Sequence, residues 1–101
     1  GMNMYRSSRC GRNFEYWGED AFLTTSLTTA FIKSLQLNGV MAVAKHYVAN
    51  EQEFNRFLVS SNVSKRALHE IYLQPFKSAV KKLEISLNLT GCYGQKNAWT
   101  P

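Results

Sequence analysis

Apolar positions along the chain fall into two helix-like stripes and three short runs. Leu23, Leu27, Ala30, Phe31 and Leu35 recur at three- and four-residue spacing, which predicts an amphipathic helix from Glu19 to about Asn38. Glu19 and Asp20 place negative charge at the positive end of that helix dipole. Gly39 supplies the left-handed residue that ends it. Thr24, Thr25, Thr28 and Thr29 lower its intrinsic propensity, so packing must hold it. A second, more regular stripe comprises Leu68, Ile71, Tyr72, Pro75, Phe76, Ala79, Val80 and Leu83. It predicts a helix over 64–82, capped by Ser64 and bent at Pro75, which cannot donate a backbone hydrogen bond.

Between the stripes, Val40 to Val48 reads V-M-A-V-A-K-H-Y-V, a short apolar run opened by a helix-ending glycine. It predicts a strand near 40–47, buried on both faces. Met2 to Tyr5 alternates like the end of a strand, and Glu84 to Thr90 alternates as a further one. The loop over 6–18 carries Phe14, Tyr16 and Trp17, so it is expected to pack down or to line a site. The order strand, helix, strand, helix, strand implies an α/β fold of parallel βαβ units. A chain of 101 residues is one domain at most and cannot close a (β/α)8 barrel, which needs roughly 250. It is either an open three-stranded sheet or a slice of something larger.

Composition narrows the classes. With 45% apolar and 19% charged residues the balance is globular rather than disordered. No run of about 18 apolar residues exists to span a membrane, and the first residues do not read as a secretory leader. The formal charge is +5, but the basic residues are scattered rather than arranged in a stripe with stacking aromatics, so no nucleic-acid partner is expected. Cys10 and Cys92 lie far apart with no CxxC and no His pair, which gives no zinc pattern; two buried free thiols are expected. Asn62-Val63-Ser64 and Asn88-Leu89-Thr90 match the glycosylation sequon, a motif too short to establish secretion.

Ligands of parallel α/β sheets bind at the carboxyl ends of strands. The Arg12 loop, the Lys45-His46 pair and the 50–56 loop fall there. Adjacent strand residues point to opposite faces, so Lys45 and His46 need a bulge or twist to share one site. Without it, Lys45 snorkels outward and His46 is a partly buried histidine. Neither His is followed by a convincing nucleophile elbow. Of the carboxylates Glu15, Glu19, Asp20, Glu51, Glu53, Glu70 and Glu84, only Glu51 and Glu53 make a tempting acid/base pair, and nothing around them marks one as a raised-pKa acid.

Three segments resemble family 3 glycoside hydrolases. Gly11-Arg12-Asn13-Phe14-Glu15-Tyr16 with Gly18-Glu19-Asp20 resembles the family's GRNFEYFxEDP segment. Ala44-Lys45-His46-Tyr47 with Asn50-Glu51-Gln52-Glu53 and Asn55-Arg56 resembles the KHF…N-x-Q-E…R segment of its β-glucosidases. Residues 63–76, VSKRALHEIYLQPF, resemble its VSERALREIYLxPF helix, which accounts for Pro75. The three occur in order and cover about residues 1–82; residues 83–101 diverge. The absence of a GHG-type loop after Lys45-His46 favours the β-glucosidase branch over the N-acetylglucosaminidase branch.

The resemblance implies that residues 1–101 are part of an N-terminal TIM-like barrel domain, acting by retaining hydrolysis of β-linked sugars without a cofactor or metal. It implies substrate-binding roles for Arg12, Lys45 and His46, which would hold hydroxyls of the sugar beside the scissile bond. It implies as partners a β-glucoside or related oligosaccharide and the remainder of a parent enzyme, with no nucleic acid or membrane. No catalytic residue maps onto these positions. The family's nucleophilic Asp sits in an SDW-like motif absent here, its acid/base Glu comes from a second domain, and a sugar-binding Asp lies upstream. The alternatives are a small non-catalytic carbohydrate-binding remnant and a truncated product.

Overall fold

The structure is a computed structural model and describes residues 1–83. The expected strand over 84–90, Cys92 and the second sequon lie outside the described residues. The elements, in chain order, are a 3₁₀ turn (Asn13–Glu15), α1 (Ala21–Leu37), a short α2 (Lys65–Ala67), a π-helical turn (Leu68–Tyr72) and α3 (Gln74–Leu83).

The first helix starts two residues later than expected, so that Asp20 stands at its N-cap and neither Glu19 nor Asp20 lies in its first turn. The Asp20 carboxylate caps it by accepting from Leu23 N–H at 2.6 Å. Gly39, at φ 74°, turns the chain away after Asn38. Its inner face is not the expected one. Thr24, Thr28 and Ile32 are buried, whereas Leu23, Leu27 and Phe31 are 47, 39 and 50% exposed. For Thr28 the reason lies in hydroxyl chemistry, whereas Thr24 Oγ1 is buried with no partner among the described residues. Thr28 Oγ1 bonds Thr24 O at 2.6 Å, one turn back, so its polar atom is satisfied within the helix and its methyl is free to pack. Small side chains on this face pack against α3, where Ala79 is fully buried and Ser78 Oγ lies 3.1 Å from Thr29 Oγ1.

The second stripe forms, but not as one bent helix. Ser64 caps α2 by accepting from Ala67 N–H. The backbone then widens, with Leu73 N–H bonding Leu68 O across five residues at 2.9 Å. Helix α3 restarts at Gln74, which places Pro75 in a first turn, where a missing N–H costs nothing. A continuous α-helix would drive the Pro75 ring into the carbonyl four residues back. The Gln74 side chain donates to His69 O at 2.7 Å within the widened turn.

No regular strand forms among the described residues, contrary to the expected strand–helix alternation. Residues 2–3 and 45–46 nonetheless lie side by side. Met2 N–H bonds Lys45 O at 2.7 Å. The next contact is made by a side chain: Asn3 Nδ2 donates to His46 O and Asn3 Oδ1 accepts from His46 N–H, both at 2.9 Å. A ladder needs a run of backbone donors and acceptors from a neighbour, and here an amide side chain occupies the place of a rung. The 40–47 run is also not buried on both faces. Ala44 and His46 are buried, while Met41 and Val43 are 92 and 57% exposed.

The core joins Met2, Ile32, Ala44, Val48, Leu68, Phe76 and Ala79, with the Tyr47 ring set edge-on to Phe76 at 5.2 Å. Truncating Phe76, which is 1% exposed, should therefore cost about 3–5 kcal/mol. Phe22→Ala, at a side chain 81% exposed, should change stability by less than about 0.5 kcal/mol. Urea unfolding followed by circular dichroism checks both; equal losses would place the core elsewhere.

Candidate functional site

Two segments build the site: residues 10–16 and residues 45–53. In the first, Gly11 takes φ 81°, a left-handed turn that a side chain would strain, and leads into Arg12. The 3₁₀ turn follows, with Glu15 N–H bonding Arg12 O at 3.2 Å and Tyr16 N–H bonding Asn13 O at 3.1 Å. Three residues per turn bring Glu15 back over Arg12, and Arg12 Nε donates to Glu15 Oε1. Tyr16 turns inward. Its hydroxyl donates to Asn50 O at 3.1 Å and accepts from Asn50 Nδ2 at 2.9 Å, which latches the first segment to the second. Phe14 points out, at 85% exposed, and Trp17 lies against Phe31 with ring centroids 5.4 Å apart. The aromatic loop thus packs through Tyr16 and Trp17 and not through Phe14.

The second segment carries Lys45 and His46. Lys45 Nζ reaches Glu15 Oε2 at 3.5 Å, the oxygen that also lies 3.4 Å from the Gly1 amino group. His46 is buried, its ring set edge-on to Tyr16 at 6.4 Å. Burial, with Arg12 and Lys45 as neighbouring cations and only Glu15 opposing them, lowers its pKa from 6.5 to about 4. At neutral pH the ring is therefore uncharged and keeps one donor and one acceptor. Its Nδ1 is buried without a partner among the described residues.

Glu53 closes the group. Its Oε1 accepts from Asn50 Nδ2 at 2.9 Å and lies 3.9 Å from Arg12 Nε; its Oε2 accepts from Arg56 at 2.8 Å. Arg12 thus stands between two carboxylates, and Lys45 shares one of them. Sequence reasoning singled out Arg12, Lys45 and His46 but missed Glu15 as the carboxylate common to Arg12 and Lys45, Asn3 as the clamp on His46, and the Tyr16–Asn50 latch.

The tempting pair separates. Glu53 is engaged by cations, whereas burial raises the Glu51 pKa from 4.5 to about 7 against the pull of Arg6. Glu51 Oε1 is buried with no partner among the described residues, the mark of a raised-pKa acid that its sequence neighbours did not show. Cys10 is a buried free thiol, as expected, and burial raises its pKa, so it is no poised nucleophile. Among the described residues no three His, Cys, Asp or Glu side chains gather as metal donors, and no helix is long and apolar enough to cross a membrane.

Guanidinium, ammonium and neutral imidazole thus stand close together, presenting several hydrogen-bond donors and one acceptor. The sequence model described as "Glycosyl hydrolase family 3 N terminal domain" matches residues 2–89, and the chain belongs to that family. Its relatives are β-glucosidases. A β-glucosidase of Rhizobium radiobacter is 44% identical over 97% of this chain and 13% of its own length. β-Glucosidase B of Emericella nidulans is 52% identical over 78% of the chain and 9% of its own length. Among solved structures, β-glucosidase of Kluyveromyces marxianus in complex with glucose superposes with a TM-score of 0.86 at 40% identity, over 96% of this chain and 12% of that one. β-Glucosidase 3B of Thermotoga neapolitana in complex with glucose gives 0.77 at 53% identity, over 80% of this chain and 11% of that one. The chain thus spans about a tenth of the length of these relatives.

The half-buried Glu51 makes stability pH-dependent. A carboxyl whose pKa is higher in the fold than in the unfolded chain favours folding below pH 4.5, and that advantage is lost as pH rises towards about 7. Glu51→Gln should therefore raise the melting temperature at pH 8 and leave it nearly unchanged at pH 4. Thermal unfolding at the two pH values checks this; equal effects at both would mean that Glu51 does not titrate as described.

Proposed function

We propose that this chain is the part of a β-glucosidase-like enzyme that grips the sugar beside the bond to be broken. Arg12, Lys45 and His46 bind its hydroxyls. The substrate is a β-D-glucoside or a related oligosaccharide, and the chemistry is retaining hydrolysis completed by carboxylates outside these residues. Residues 1–101 are then part of an N-terminal (β/α)8 barrel domain, with the resemblance strongest over 1–82 and 83–101 its divergent portion. The remainder of the enzyme is its structural partner.

The observation that carries this reading is the convergence of Arg12 and Lys45, 33 positions apart in sequence, on the single carboxylate of Glu15, with His46 alongside. Arg12 presents a rigid donor fork, Lys45 a mobile donor, and neutral His46 both a donor and an acceptor. Bonds to sugar hydroxyls that tighten in the transition state supply several kcal/mol to such reactions. The glucose complexes of the similar enzymes support the choice of sugar.

In the full-length enzyme carrying these residues, Arg12→Ala, Lys45→Ala and His46→Ala should each lower kcat/KM on an aryl β-glucoside by about 2–4 kcal/mol. Residues 1–101 alone should show no turnover, because retaining hydrolysis needs a nucleophilic and an acid/base carboxyl across one bond. A chromogenic assay reads both. Near-unchanged kinetics for the three variants would remove them from the site. Turnover by the isolated chain that vanishes in a Glu51→Gln, Glu53→Gln variant would move the catalytic pair into it.

A further inference from the structure

The Glu15 side chain is only 13% exposed, and its two oxygens serve three positive groups, Arg12 at Oε1 and both Lys45 and the Gly1 amino group at Oε2. Oε1 accepts from Arg12 Nε, three residues back on the same turn. Oε2 lies 3.5 Å from Lys45 Nζ, 30 positions further along the chain. Without this carboxylate, a guanidinium and an ammonium would face each other in a partly desolvated site, where like charges repel more strongly than in water. Glu53 does not replace it: it stands 3.9 Å from Arg12 Nε and is already engaged by Arg56 and Asn50. The cations acting on Glu15 reinforce the arrangement. Burial raises its pKa, but the Arg12 hydrogen bond, the amino terminus and Lys45 together bring it below the usual carboxylate value, so it is ionised at neutral pH.

We propose that Glu15 is a positioning residue, holding the Arg12 guanidinium and the Lys45 ammonium in the one arrangement that can grip a sugar. This rests on the sugar-binding role of Arg12 and Lys45. Glu15 does not touch the reacting atoms and transfers no proton; it acts through the two cations. An isosteric amide cannot take its place. The Gln side chain offers one acceptor oxygen and turns an N–H₂ donor towards the second cation, so one of the two is released. Aspartate keeps the charge but is one methylene shorter, so it reaches both cations less well. Misplacement of a positioning group by about 1 Å costs up to about a hundredfold in rate.

The test uses the full-length enzyme carrying these residues and an aryl β-glucoside. Glu15→Gln should lower kcat/KM by about 10- to 100-fold, while both limbs of the pH–rate profile stay in place because Glu15 is neither acid nor base in the reaction. Glu15→Asp should recover part of the loss. In a Lys45→Ala background the further cost of Glu15→Gln should shrink to less than about threefold, since a residue that acts through Lys45 loses much of its effect once Lys45 is gone. If the Gln variant does not fold, Glu15→Asp made with and without Lys45→Ala carries the same comparison. A Glu15→Gln or Glu15→Asp loss that is undiminished in the Lys45→Ala background overturns the inference. So does unchanged kcat/KM in Glu15→Gln while Arg12→Ala and Lys45→Ala lose activity. Unchanged kcat/KM in Arg12→Ala and Lys45→Ala overturns the sugar-binding reading itself, and this inference with it.

Discussion

The site depends on one join: the Asn3 side chain, buried beside His46, with both ends of its amide bonded to the His46 backbone. Forty-three positions of sequence separate the two residues. The amide matches the spacing of a peptide unit, so it satisfies a buried N–H and a buried C=O that would each be costly to leave unpaired. It also sets register. Residue 2 meets 45 and residue 3 meets 46, so the two segments run in the same sense, and a slip by one residue would break both Asn3 bonds. With that register held, the loop that follows residue 3 comes down beside Lys45 and His46, and Tyr16 reaches Asn50 to complete the enclosure.

Electrostatics then decides what the enclosure can do. Burial next to Arg12 and Lys45 keeps the His46 imidazole neutral, while the two cations share the Glu15 carboxylate. A neutral ring beside two held cations offers many donors and an acceptor within a small region.

Much of this was legible in the residues, and the rest was hidden for physical reasons. Asp20, Ser64 and Gly39 marked helix ends because capping depends on one side chain or one φ value, which a sequence states directly. Arg12, Lys45 and His46 stood out within motifs of moderate specificity. The inner face of α1 was misread because threonine counts as polar in a periodicity, although a hydroxyl bonded to the preceding turn, as at Thr28, leaves the residue packing as a methyl. The ladder expected at 40–47 depends on neighbours, which no single segment specifies. Glu15 was spelled out in its motif, but its second cation lies on another segment, and only the folded chain brings the two together. Glu51 looked like its neighbour Glu53 until burial separated them.

The widened turn at 68–72 bears on chain length as well as side-chain chemistry. Each residue of an α-helix rotates the chain by about 100° about its axis, so the π-helical turn sets the phase in which α3 begins. Leu68 lies at its start, and Phe76 and Ala79 lie beyond it, yet all three are buried in one core. Eight residues of regular α-helix would carry Phe76 about 80° round from Leu68; the widened turn takes up one residue and brings the two onto one face. The turn thus takes the surplus residue out of the packing pattern, and the side chains it carries outward, such as His69 and Glu70, stay clear of the core.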